Sequence, residues 1–593
     1  MGPEPASTPP VAAARRPWLA PAGLVLLMGG LFFLRLGQDL PLRSHEALVA
    51  ETARNMFLQR PVQLADGSRP SPYLVPNCNG VPRLRKTPLA YWMVAGLAHV
   101  TGAVDEWTAR LPSALAAVGT VLVMVTLLRR WTDRRTALWG GAALVTTIGF
   151  LLIARTALSD MPMTFLATAA LAALWLGVET GGGRRFGWLA LSGTAAGLAM
   201  LAKGPAPALV FPLPCLAAAG IMVARLVRAR RAGGHVRTEW TWTIAGAAVA
   251  VLLFLAVVLP WAAYLYVRVP EALALLKAES VDRSTGDYGH QEPLYFYVVR
   301  LPVLVAPWTV FFVYGLVLAA RRMGRGSADR PWLLFLGAWL VGPLAAFSVA
   351  AGKQDHYILP ILPAAAGYAA LAIRAWVVPG SPGAERTGRR VLAAHGILTL
   401  LLGLAVVAPY AVWRMDAALI STFAGAEMLR QPAVLGPVVV LGALGLVGGM
   451  AAVVLALRRR LAGSLACLVA TFAAAFLWAW PALMGPMDRA TPAEKFATHV
   501  RHIVPRDVPL HAFVSPNNTV VFYIERSVPS LARAADVQHE VARGRPFFLM
   551  CAEKYRPALG QVRGLVPLVR EADPYRPDEG FWLFQAPGTP PPT

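Results

Sequence analysis

Acid is scarce in this chain. Its 32 aspartates and glutamates face 55 lysines and arginines, and only 15% of residues are charged, where a soluble protein carries about 25%. A shortage that deep excludes a soluble globular fold for the whole. Cysteine is scarcer still. The four present form no CxxC or Cys/His spacing, which argues against a structural zinc site. Cys78 and Cys551 could pair if both face an oxidising compartment, although nothing in the sequence requires it. The N-terminal MGPEPASTPPVAAARRPW lacks a cleavable-signal pattern, and Arg15 and Arg16 read as a cytoplasmic flank of the first apolar run.

Apolar sequence is what the chain has in quantity: 56% of its 593 residues are hydrophobic. The 49 prolines and 52 glycines fit membrane helices packed in a bundle, where small residues permit close approach. A net charge of +23 raises nucleic acid as a partner. Most of the arginines, however, lie in short loops between apolar runs, where they set topology. No nucleic-acid partner is expected. The fold class is mainly α, a polytopic membrane protein.

Runs long enough to cross a bilayer, roughly 17 to 25 residues, occur near 19–36, 111–128, 136–157, 162–179, 186–202, 206–224, 241–266, 301–320, 332–350, 357–376, 391–412, 433–457 and 461–484. That predicts thirteen spans. LAYWMVAGLAHVTG at 89–102 is short and is followed by Asp105 and Glu106. If it does not cross, the clusters RRWTDRR, GGGRR, RLVRARRAGGHVR, RRMGRGSADR, GAERTGRR and RRR at 458–460 all share a side with Arg15 and Arg16. The positive-inside rule expects that arrangement, so 89–102 reads as an interfacial or re-entrant helix. Four segments follow: a cytoplasmic tail over 1–18, a membrane core over 19–375 with an outer loop at 37–110, further transmembrane helices over 376–485, and an extracytoplasmic α/β domain over 486–593. In that last segment VPLHAFV, TVVFYIE, PFFLMC, LVPLVRE and FWLFQ read as strands, and TPAEKFATHVRHI and AADVQHEVARG as helices.

Ionisable groups at the outer membrane edge are informative, because unpaired charge near hydrocarbon is costly. The outer loops hold His45, Glu46, Arg54, Arg83, Arg85, Lys86, Asp160, Lys203, Arg283, His290 and Lys353. Cations between helices suit a phosphate headgroup, and a nearby carboxylate suits a general base or an orienting group. Each has a plainer reading. Ser44 can cap the 45–59 helix, with Glu46 complementing the helix dipole. Arg54, two turns on, is either a structural partner or a substrate contact. Asp160 can be an N-cap, Lys353 can snorkel, and Lys86 can flank an interfacial helix. His290 is a lone loop histidine. Their agreement on one face is what favours a site.

The order of these pieces resembles a known family. After the acidic helix come PNCNGVPRLRKTPLAYWMVAGLAHVTGAVDEWTARLPSALAA, ALSDMPMTFL, AKGPAPALV, GHQEPLYFYVVRLP and AGKQDHYILPILPA. Together they look like the integral-membrane C-type glycosyltransferases of the protein O-mannosyltransferase and lipid A aminoarabinose transferase superfamily. The likeness covers roughly residues 20–375. It implies transfer of a sugar from a polyprenyl-phosphate carrier to a lipid, glycan or protein acceptor on the outer face of the inner membrane; one in-line displacement would invert the anomeric carbon, and a monomer is expected. Where the family carries an Asp-Glu pair this chain reads His45-Glu46, leaving Glu46 as the candidate base and His45 as a second. The family's second acid matches Asp160. Its lysine before the TPLAYW-type segment matches Lys86, its later basic residue Arg283, and its lysine and tyrosine before the LP run Lys353 and Tyr357. Arg54 and Lys203 complete the expected grip on the lipid phosphate. Aminoarabinose transferases place a Glu before the first-loop lysine and a His in the later loop to hold a metal. Here those places read Arg85 and, approximately, Ser280, so no metal and no other cofactor is expected. A transporter or lipid flippase, and a silent relative that only binds a lipid-linked sugar, are the competing readings.

Overall fold

The computed structural model describes residues 19–269, 272, 274, 291–377, 382–415, 432–488, 492–572 and 580–589, apart from 39, 65, 234, 235, 325 and 326. All thirteen apolar runs form helix, but not thirteen straight spans. Nine described helices are long and apolar enough to cross a membrane, or eleven if each of two bent pairs is one span. The first run, Leu19–Phe33, is a shorter apolar helix whose last turn widens to a π-helix at Gly29–Phe33. Gly182–Lys203 is helical throughout, yet it is built largely from Ala and Gly with Arg184 and Arg185 in its first turn, and it is not among the nine. The chain is a multi-pass membrane protein.

Both bends have local causes. Arg134–Val145 meets Ile148–Ala154 at 65°. At the break the hydroxyls of Thr146 and Thr147 turn back onto the Ala142 and Ala143 carbonyls, a pattern that competes with the helix ladder. Phe296–Leu304 meets Thr309–Arg322 at 112°, where Pro307 offers no amide hydrogen to continue a helix.

The Leu89–Thr101 helix lies against Ser44–Phe57, with Tyr91, Val94, Ala95 and Ala98 packed on Ala47, Ala50, Ala53 and Met56. Just before it, Thr87 accepts a hydrogen bond from the Gly204 amide, and at its end the Thr101 hydroxyl lies 3.1 Å from that of Thr108. Gly204 closes the Gly182–Lys203 helix and Thr108 opens Glu106–Trp131, at the end of the bundle that also holds Asp160. The helix therefore rests on that end.

Strands β1 (Asn77–Cys78) and β2 (Val81–Pro82) make a small hairpin in the first loop. The chain after 491 builds a five-stranded sheet from β3 (Leu510–Phe513), β4 (Ser530–Leu531), β5 (Phe548–Ala552), β6 (Val566–Ala572) and β7 (Gly580–Gln585). Its order is β4-β3-β5-β7-β6, parallel between β3 and both its neighbours and antiparallel elsewhere. Four of the five expected strands are there. TVVFYIE is instead a helix, Asn518–Ile524, because Asn517 caps the Thr519 and Val520 amides. That helix joins the domain to the first loop. Tyr523 accepts from the Leu42 amide and donates to Glu106, and Thr519 donates to the Leu42 carbonyl. Asn79 exchanges two hydrogen bonds with the backbone of Val528. The four cysteines are free thiols, so Cys78 and Cys551 do not pair.

Candidate functional site

Two buried arginines fix the end of the first helix. Arg155 donates to the carbonyls of Leu31 and Leu34. Arg110 donates to those of Leu36, Leu40 and Pro41. A broken helix end leaves carbonyls without partners, and burying them bare would be costly. Arg110 turns its remaining face to Glu46, with Nε at 2.9 Å and Nη2 at 3.2 Å from the two carboxylate oxygens. Glu46 also accepts from the Arg43 amide and from the Ala157 amide. Both its oxygens are thus engaged, and Glu46 is 5% exposed. The general-base role expected for Glu46 needs an oxygen aimed at an acceptor. Those four bonds suit a positioning role, in which Glu46 ties the first-loop helix to the turn that carries Asp160. Arg110 was visible in the sequence within WTARLPSALAA, but nothing there marks it as the partner of a residue 64 positions earlier.

That turn holds the chemistry. Asp160 begins the Asp160–Glu179 helix and is 3% exposed. It forms an ion pair with Lys203, at the last position of Gly182–Lys203. His356 Nε2 lies 3.8 Å from the same carboxylate, and Lys86 is near enough for its charge to act on it. The Lys203 ammonium sits 4.9 Å from the centre of the Tyr357 ring, a cation–π geometry. Gly204 makes this placement possible. Its φ of 67° and ψ of −143° suit only glycine, and its amide bond to Thr87 holds the Lys86 segment beside Lys203.

Lys353, in the same loop as His356 and Tyr357, is buried and donates to the Glu292 carbonyl at 2.6 Å. Arg300 pairs with Asp355, and Tyr297 is bonded to both the carbonyl and the amide of Gln354. The Phe296–Leu304 segment thereby holds the loop. Two helix ends and two loops thus bring together Asp160, Lys203, Lys86, His356 and Tyr357, and Lys353 lies in the second of those loops. His356 was not anticipated, although it stands between two residues that were. His45 is exposed on the first turn of Ser44–Phe57, next to Glu46 and so beside the Ala157 turn. Arg283, His290 and Ser280 lie outside the described residues.

Arg54 is elsewhere. It pairs with Glu51 at 3.0 Å, donates to the carbonyls of Phe522 and Val104, and stacks 3.7 Å from the Phe522 ring centre. Of the two roles open to it, these contacts are those of the structural one, a clamp of the C-terminal domain to the first loop, and none of them is with the Asp160–Lys203 pair. Burial pushes the Glu51 carboxyl up to about 7 from 4.5, against the pull of Arg54. Between those two values the folded chain keeps a proton that the unfolded chain has lost. The stability Glu51 contributes is therefore complete below about pH 4.5 and is lost as pH rises through about 7. In Glu51→Gln that part of the pH dependence should vanish. Melting temperatures of parent and variant at pH 5 and pH 8 check it, and parallel profiles would contradict the assignment.

A metal held as the resemblance describes would need an acid just before Lys86. Arg85 is exposed beside Lys86, where the resemblance asks for an acid, and a guanidinium cannot ligate a cation. Among the described residues, no three of His, Cys, Asp or Glu lie close enough to hold an ion.

Comparison with known proteins places the fold. The crystal structure of ArnT from Cupriavidus metallidurans bound to undecaprenyl phosphate superimposes with a TM-score of 0.73 at 20% identity, covering 95% of this chain and 97% of that one. Its apo form superimposes with a TM-score of 0.71. The chain has the C-type glycosyltransferase fold. Residues 71–276 match the family described as dolichyl-phosphate-mannose-protein mannosyltransferase. The undecaprenyl phosphate-alpha-4-amino-4-deoxy-L-arabinose arabinosyl transferase of Pseudomonas paraeruginosa is 32% identical over 347 residues, 57% of each chain. A Pseudomonas fluorescens protein of the same description is 29% identical over 400 residues, covering 66% of this chain and 64% of its own. The chain spans 57% of the length of the first of these relatives. Within this C-type fold the polar cluster sits at one end of the bundle, under the first-loop helix that the C-terminal domain holds down.

Proposed function

We propose that this chain moves a sugar from a polyprenyl-phosphate carrier to a lipid, glycan or protein acceptor. One observation carries the reading: a buried carboxylate–ammonium pair, Asp160–Lys203, with Lys86, His356 and Tyr357 around it at the end of an apolar bundle. Cations gathered at that depth suit a lipid whose tail stays in the membrane and whose phosphate stops at its edge. The solved relative holding undecaprenyl phosphate supports the same donor class.

In this reaction the acceptor oxygen attacks the anomeric carbon as the bond from that carbon to the carrier phosphate breaks, inverting the centre. The electron pair leaves with the phosphate, whose growing charge Lys86 and Lys203 stabilise, with Lys353 alongside. Arg283 belongs to the proposed grip by resemblance. A hydroxyl acceptor must also lose a proton, and we assign that role to His45, since an imidazole can accept a proton near neutral pH. A phosphate acceptor is already ionised and needs no base. No metal enters the scheme.

Purified protein given undecaprenyl-phosphate-linked sugars should release undecaprenyl phosphate only when an acceptor fraction from the cell envelope is present. No release with any donor would favour the transporter or the silent relative. Lys86→Ala should weaken carrier binding by about 1.5–3 kcal/mol, the worth of a charge-assisted hydrogen bond. Titration with undecaprenyl phosphate measures it, and parental affinity would remove Lys86 from the grip. For orientation, we place the 1–18 tail inside and the first loop, the cluster and the 486–593 domain outside the inner membrane. Reporters fused after residue 130 should then read cytoplasmic and those after residue 490 external, and the reverse at either would invalidate that placement.

A further inference from the structure

Far from the polar cluster, the helices Pro212–Arg231 and Arg330–Val349 leave a cleft of about 1130 Å³ between them. Its walls are apolar, with Leu213, Leu216, Leu334 and Val341 among them, and Gly220 and Gly337 keep it open. Among the described lining residues, one mouth carries three arginines, Arg225, Arg228 and Arg330, and no acid. The nearest acid in sequence, Asp329, is turned to the Trp332 indole at 3.2 Å and faces Arg322 at 4.0 Å. Arg225 is fixed in place. It donates to the Val178 carbonyl at 2.9 Å and lies 6.0 Å from the Trp175 ring centre.

Those contacts locate the mouth. Val178 is in the last turn of Asp160–Glu179, roughly 27 Å along the helix from Asp160 at about 1.5 Å per residue. The cleft therefore opens at the opposite end of the bundle from the polar cluster and belongs to a different leaflet. From Arg225 back to Leu213 the wall runs roughly 18 Å, close to the roughly 15 Å depth of one leaflet's hydrocarbon. A guanidinium trio above an apolar slot of that depth matches a phosphate headgroup above an acyl chain. Basic pockets between helices on the inner side take anionic headgroups.

We infer that this cleft binds an anionic glycerophospholipid, its phosphate on Arg225, Arg228 and Arg330 and one acyl chain between the two helices. The proposal is independent of the sugar-transfer reading. The two walls lead, at their far ends, to the Lys203 and Lys353 segments respectively. A lipid seated here would hold the spacing of two helices that bear on the polar cluster.

The full-length protein, delipidated in mild detergent, is titrated with phosphatidylglycerol and with phosphatidylcholine, and bound lipid is counted by native mass spectrometry. Phosphatidylglycerol should bind at least tenfold more tightly. The double variant Arg228→Gln/Arg330→Gln changes exposed side chains and leaves Arg225 in place. It should lose about 30-fold of that affinity, about a factor of five per arginine at a membrane surface. A Cβ at Gly220 meets nothing within 4 Å, so Gly220→Leu should fit and block the slot to both lipids. Melting temperatures confirm that each variant is folded. Equal binding of the two lipids, parental affinity in the double variant, or displacement of phosphatidylglycerol by equimolar undecaprenyl phosphate would each overturn the assignment.

Discussion

Asp160→Asn should lower turnover by about 100-fold or more, the usual cost of losing one preorganised electrostatic group, while the protein stays folded. Asparagine keeps the shape and one carbonyl acceptor, so Lys203 retains a partner in a site where Asp160 is 3% exposed. What disappears is the negative charge that holds the Lys203 ammonium over Tyr357 and draws His356 toward it. In the proposed reaction that ammonium meets a charge which grows only as the sugar leaves. The loss should therefore fall mainly on kcat, with a smaller effect on carrier affinity. Asp160→Ala is a poorer probe, because an unpaired buried lysine costs about 3–5 kcal/mol of stability. Parental turnover in Asp160→Asn would reduce the pair to a structural strut.

Glu46→Gln should act differently. Glu46 accepts four hydrogen bonds, two of them from Arg110, and both side chains are nearly inaccessible to solvent. Glutamine keeps one carbonyl oxygen for Arg110, but it removes the charge and turns an NH2 group toward donors that the second carboxylate oxygen had served, a loss of about 3–5 kcal/mol. The variant should melt lower and lose activity because the first-loop helix and the Ala157 turn come apart. A double-mutant cycle with Arg110→Lys separates the possibilities, because the two changes should couple strongly if Glu46 acts through Arg110. A large drop in melting temperature for Glu46→Gln, strongly coupled to Arg110→Lys, supports the positioning role. A Glu46→Gln protein of parental stability that binds carrier but does not turn over would return Glu46 to the catalytic base.

The contrast between these two acids shows what the sequence could and could not reveal. Both stand beside apolar runs at the same end of the bundle, and both were legible as buried charge needing compensation. Their partners were not. Arg110 lies 64 residues from Glu46 and Lys203 lies 43 from Asp160, distances that only packing closes. Arg54 looked like a member of the cluster because it shares a helix face with Glu46. Its real partner, Phe522, lies 468 residues away in a segment whose alternation mimicked a strand. Helix positions were legible because an apolar run of span length has few alternatives in a membrane. The two bends were not, since Thr146 and Thr147 are ordinary residues until their hydroxyls turn back on the helix. The resemblance pointed to Asp160, Lys86, Lys353 and Tyr357. Their convergence with Lys203 and His356 needed the fold.

The central claim is that the carrier phosphate sits on the Asp160–Lys203–Lys86 cluster. Photocrosslinking tests it most directly, with an undecaprenyl phosphate bearing a diazirine on its first isoprene unit and peptide mapping of the labelled protein. Label should fall in peptides containing 86–92, 203–210 and 353–362, and should be competed by unlabelled carrier and reduced in Lys86→Ala. Label confined to the far end of the bundle, around 213–228 and 327–337, or insensitive to Lys86→Ala, would contradict it.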